Sequence, residues 1–109
     1  MNNTEKNATQ EAIDNIIANG VNLKKQMIVD FFINVSNKKN GGLISKEVKK
    51  IGFDTKIEFD AEYEDWTCYC SKKIFLDYNI IVNIEIILDK IARKYNGNID
   101  GFGTYGNLD

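Results

Sequence analysis

Apolar residues change their spacing several times along this chain, and each change marks an element. From Ala8 to Asn19, Ala12, Ile13, Ile16 and Ile17 recur at helical intervals, and Gly20 stands where a helix would stop. From Gln26 to Val35 the period falls to two. Met27, Val29, Phe31, Ile33 and Val35 share one face, a strand signature. Ile28 and Phe32 on the other face predict a central strand, partly covered on both sides. Leu43, Ile44, Val48 and Ile51 restore the helical stripe up to Gly52, with Ser36 or Asn37 as its cap. Gly41 and Gly42 weaken its start by roughly 1 kcal/mol each.

A second alternating run, Thr55 to Ala61, points Ile57, Phe59 and Ala61 one way. An acidic corner, Glu62 to Asp65, then leads to a hairpin partner whose inward set is Trp66, Cys68 and Cys70. The longest helix reads Tyr78 to Tyr95, capped by Asp77 and ended by Asn96-Gly97. Ile80, Ile81, Ile84, Ile87, Leu88, Ile91 and Tyr95 form its stripe. Asn98 to Tyr105 is the last strand.

The resulting order is one helix followed by β-α-β-β-α-β. It predicts an α+β, ferredoxin-like split βαβ sandwich with a four-stranded antiparallel sheet and an extra short N-terminal helix. Residues 1–20 read as a polar arm and short helix, and residues 21–109 as a single domain. Such a fold by itself assigns no function.

Composition narrows the function classes. With a net charge of −2, phosphate neutralisation is not the expected mode of action, so no direct nucleic-acid partner is expected. No apolar run approaches the ~20 residues that span a bilayer. The start of the sequence lacks the basic and apolar parts of a signal peptide, so the expectation is a cytoplasmic protein with no membrane partner. Cys68 and Cys70, two apart on a strand, suit the core better than a disulfide framework. Sixteen Ile, 14 Asn and 13 Lys against a single Arg reflect AT-rich codons.

Catalytic chemistry finds few carriers. There is no His, so the usual neutral-pH base is missing, and two cysteines without histidine make a poor zinc site. Ser36, Ser45 and Ser71 have no base near them in sequence. Gly101, Gly103 and Gly106 match Gly-x-Gly-x-x-Gly, yet they follow a helix and occupy a strand, where a dinucleotide loop must leave a strand and open a helix. The expectation is a protein that is not an enzyme and carries no cofactor or metal.

Three stretches together resemble the family of the regulator of ribonuclease activity B, a protein inhibitor of RNase E. The first is Asn19-Gly20-Val21-Asn22-Leu23 leading into Ile28 to Phe32. The second is Ile51-Gly52-Phe53, and the third and most specific runs from Ile91 to Thr104. Ile99 stands where the family usually has Tyr, and Phe102 where it has Trp. The resemblance covers roughly Asn19 to Tyr105. It implies a non-catalytic protein that binds another protein, a nuclease or its scaffold region.

The residues offer two candidate docking regions. Between Asp54 and Trp66 the acids Asp54, Glu58, Asp60, Glu62, Glu64 and Asp65 face Lys56 alone, with Tyr63 and Trp66 interleaved. Alternation predicts Glu58, Asp60 and Glu62 in a row on the outer face of a strand. One reading is a solvated face and polar turn. The other is a decoy for nucleic acid that meets the basic surface of a nuclease or toxin domain, with Tyr63 as an aromatic anchor. Trp66 points inward if it keeps phase with Cys68 and Cys70, and is an interface anchor if it does not. In the last strand, Asp100-Gly101 reads as a bend or bulge, either purely structural or part of an edge presenting Asp100, Phe102 and Tyr105.

Three further readings stay open. An immunity protein that neutralises a cognate toxin nuclease would use the same physics. A small-molecule-binding domain or enzyme on the open sheet face predicts a concave pocket with convergent polar groups. An architectural subunit predicts paired strand edges, so monomer and weak dimer are both allowed.

Overall fold

The computed structural model describes residues 7–108; the polar arm expected at the start of the chain falls mainly outside them. The elements run α1 (Ala8–Ala18), β1 (Met27–Val35), α2 (Lys38–Lys50), β2 (Asp54–Asp60), β3 (Asp65–Ile74), α3 (Tyr78–Arg93) and β4 (Asn98–Thr104). The sheet has four strands in the order β2-β3-β1-β4, and every pairing is antiparallel. This is the expected split βαβ arrangement.

Local chemistry sets the helix ends. Asn37 accepts from the Asn40 N–H at 2.8 Å, and Asp77 accepts from the Ile80 N–H at 3.1 Å. The cap at Asn37 starts α2 ahead of the Gly41-Gly42 pair, so those glycines do not delay it. Asn96 turns left-handed (φ 62°), and the Gly97 N–H reaches back to the Ala92 carbonyl at 2.9 Å, closing α3.

One face of the sheet forms the core. Met27, Val29, Phe31, Ile33 and Val35 of β1 and Cys68, Cys70 and Ile74 of β3 are buried against Ile44 and Val48 of α2 and Ile81, Leu88 and Ala92 of α3. Trp66 joins this side half-buried, with its ring centroid 5.2 Å from that of Phe59 and 5.7 Å from the Lys38 ammonium. Both cysteines are free, with sulfurs 4.0 Å apart. Contact with Cys68 and burial push the Cys70 thiol up, so it stays neutral. Ile13 of α1 also enters the core.

The second face of β1 is open, contrary to the expectation of cover on both sides. Ile28 is 59 % exposed there. The helices stack on the other face because the odd positions of β1 form an unbroken apolar row, whereas Asp30 and Asn34 interrupt the even one.

Asp89 joins α3 to β4 and also pairs within the helix. It accepts from the Arg93 guanidinium at 2.7 Å and from the Ile99 N–H at 3.0 Å. Burial pushes its carboxyl up, but these two hydrogen bonds outweigh it and hold the group below the usual carboxylate value. A depressed carboxylate contributes stability that is fully present above its unfolded pKa of about 3.9 and is lost as pH falls through the folded value. Urea melts taken from pH 6 down to about 3 should therefore show a shallower acid loss for Asp89→Asn than for the parent. An unchanged slope would remove Asp89 from the acid-sensitive groups.

Gly97, just before β4, is closely enclosed. A Cβ there would lie 2.8 Å from the Asn34 carbonyl oxygen and 3.2 Å from Ile44 Cδ1. Backbone cannot yield as a flexible side chain can, so Gly97→Ala is expected to cost about 1–3 kcal/mol by overpacking. A urea midpoint within error of the parent would show that β4 shifts freely.

Candidate functional site

The face of the sheet left uncovered by helices carries the charged and aromatic residues that face solvent as side chains alternate along each strand. Phe32 and Tyr69 lie directly opposite in the β1–β3 ladder, their rings edge to face at 5.5 Å. Asn34 pairs with Thr67 one step along. Asp60 and Asp65 face each other at the end of the β2–β3 hairpin. Together with Tyr63 and Asp100 these side chains line an open concavity of about 450 Å³.

Asp100 reaches this face through a bulge. Ile33 pairs with Ile99 and Phe32 with Gly101, which leaves Asp100 as the extra residue. Ile99 and Phe102 then both pack toward the core, although three positions apart. Gly101 makes the bulge possible with φ 137°, a conformation that side chains oppose.

The hairpin turn is built by Asp60, whose carboxylate accepts from the Glu62 N–H at 2.9 Å and the Tyr63 N–H at 3.3 Å. That turn ends β2 at Asp60, two residues earlier than the expected row of carboxylates requires. Ala61 and Glu62 therefore belong to the turn, and the strand presents Glu58 and Asp60 only. Glu64 takes the left-handed position of the turn (φ 54°).

The concavity brings together Asp60, Tyr63, Asp65 and Asp100 of the residues singled out from sequence. Glu58 lies on the same face opposite Thr67, in an ion pair with Lys56 at 2.7 Å. Glu62 and Glu64 are exposed in the turn beside it. Phe102 is elsewhere: it turns to the helix side, half-buried with its ring 5.9 Å from that of Phe31. Tyr105, just past β4, is fully exposed and does not line the concavity.

Sequence reasoning missed Phe32, Asn34, Thr67 and Tyr69 as site residues. The signal was present. Tyr69 sits between two inward cysteines and so must point outward, and Phe32 and Asn34 fall between inward residues of β1.

The lining contains three carboxylates and no cation. Among the described residues no three His, Cys, Asp or Glu side chains are grouped as metal ligands. No helix among them is long and apolar enough to cross a membrane. What the arrangement offers is negative charge over an aromatic floor, a surface suited to cationic side chains.

The model of one protein family, Regulator of ribonuclease activity B, matches residues 6–104. No curated protein matches the chain.

Proposed function

The chain belongs to the regulator of ribonuclease activity B family, and we propose that it acts as a non-catalytic inhibitor that binds a ribonuclease through the acidic, aromatic end of its open sheet face. Family membership supplies the ribonuclease. The observation that supports this face is the concavity itself, where Asp60, Asp65 and Asp100 surround Phe32, Tyr63 and Tyr69 with no cation among them.

A ribonuclease gathers RNA phosphates with Lys and Arg, and those are the groups this surface complements. Opposite charge speeds encounter and fixes orientation, while exposed aromatic side chains supply the anchoring contact area. Glu62 and Glu64 extend the negative rim and Glu58 stands beside it, paired with Lys56, whereas Phe102 and Tyr105 stand apart from it in this proposal. A cytoplasmic location belongs to the same proposal.

The test is capture of ribonuclease on the tagged protein at low and high salt, identified by mass spectrometry, followed by a cleavage assay on labelled RNA. A ribonuclease recovered at low salt, reduced at high salt and slowed by added protein is the expected result. Unchanged cleavage with no ribonuclease recovered at either salt contradicts the proposal.

A small-molecule site is the second reading, because polar groups do converge on the concavity. It predicts cleavage rates that the protein leaves untouched.

A further inference from the structure

The helical side of the molecule carries a second concavity, of about 460 Å³, between α2 and α3. Its apolar lining is Leu43 from α2, Ile51 at the C-cap of that helix, Ile91 from α3 and Tyr95 just past its end. Leu43 is 38 % and Ile51 46 % exposed, although both are large and apolar. Positions 43, 46, 47, 50 and 51 fall on one stripe of a helix, so the groove runs along about two turns of α2.

Charge on the groove is one-sided. The helix α2 carries Lys38, Lys39, Lys46, Lys49 and Lys50 against the single acid Glu47. That acid is already engaged: Lys94 donates to it at 2.5 Å and the Tyr95 hydroxyl donates to its other oxygen. The hydrogen bonds from Lys94 and then Tyr95 hold the Glu47 carboxyl below its ordinary value. Lys46 and Lys50 stand on the rim, exposed and without an ion pair among the described residues.

We infer that the α2–α3 groove is a second docking site, whose occupant is an acidic amphipathic segment of a partner protein. Apolar side chains at helical spacing cover Leu43, Ile51, Ile91 and Tyr95, and carboxylates on the flanks meet Lys46 and Lys50. Charge complementarity selects this occupant, because a basic segment would be repelled by the rim that an acidic one neutralises. The site lies on the helix layer, across the sheet from the open face, and does not depend on the role proposed for that face.

The experiment uses the whole isotope-labelled protein and a synthetic helical peptide with leucine at every third or fourth position and glutamate elsewhere. A twin peptide with lysine in place of glutamate is the control. The expected result is amide shifts centred on Leu43, Ile51, Ile91 and Tyr95, absent with the lysine twin. Affinity should fall about tenfold or more in the Lys46→Glu, Lys50→Glu double variant. A thermal melt of that variant separates lost binding from lost folding, and both side chains are exposed. No shifts at about 1 mM peptide, shifts centred on the open sheet face, or affinity unaffected in the folded double variant would overturn the proposal. Dilution of the protein alone that moves the same amides would identify a second copy as the occupant. Tight binding of phosphatidylglycerol vesicles through these lysines, with the peptide silent, would identify a lipid surface. Either result also overturns it.

Discussion

Asp65→Lys combined with Asp100→Lys is expected to weaken ribonuclease binding by about a hundredfold or more while leaving the fold intact. Neither carboxylate has a hydrogen bond or ion pair among the described residues, so the protein loses no internal contact with them. Asp65 faces Asp60 directly across the hairpin, and two like charges at that spacing repel. Reversing one of them removes that repulsion, and surface changes of this kind usually fall within about 0.5 kcal/mol. Asp60 is kept because it builds the turn through the Glu62 and Tyr63 amides. The measurement is a titration against the captured ribonuclease at two salt concentrations, beside a urea melt. Binding within about threefold of the parent, in a variant with an unaltered melt, would move the interface off the open face.

The strand order and helix order were readable because one periodicity dominates each segment. The five odd residues from Met27 to Val35 are all buried, and the stripe from Ile80 to Ile91 places Ile81 and Leu88 in the core. Caps were readable for the same local reason: Asn37 and Asp77 precede apolar periodic runs and use their own side chains to stop the chain. The resemblance built on Ile91 to Thr104 and the two earlier stretches is borne out by the family match over residues 6–104.

The face of β4 was harder to read, because parity fails where a bulge intervenes. Strict alternation puts Asp100 and Phe102 on one side. The extra residue at Asp100 sends its side chain to the open face and returns Phe102 to Phe31. Nothing short of the pairing register fixes that, since Asp100-Gly101 also describes a simple bend. The row of carboxylates failed at its end for a related reason. Asp60 has two available roles, strand residue and turn builder, and its bonds to the next two amides decide for both at once.

Phe31→Ala should show the opposite pattern from the charge reversal: a large loss of stability with the binding chemistry retained. Phe31 is fully buried on the interior strand β1, between Cys70 on β3 and Phe102 on β4. Its ring meets Phe53 edge-on at 6.3 Å and Phe102 at 5.9 Å. Truncation removes the side chain that joins the loop after α2, the centre of the sheet and the strand carrying the bulge. The remaining rings are attached to different elements and cannot close together without moving backbone, so the cavity persists. Such deletions cost about 3–5 kcal/mol, against the roughly 5–15 kcal/mol that holds a domain folded. With a urea slope of about 1–3 kcal/mol/M, the midpoint should fall by about 2 M. In the fraction that remains folded, Asp60, Asp65 and Asp100 still face solvent from the other side of the sheet, so affinity per folded molecule should stay within about threefold. Hundredfold weaker binding in folded Phe31→Ala would mean that core packing positions the bulge at Asp100. Retained stability would instead mean that Phe53 and Phe102 collapse into the space.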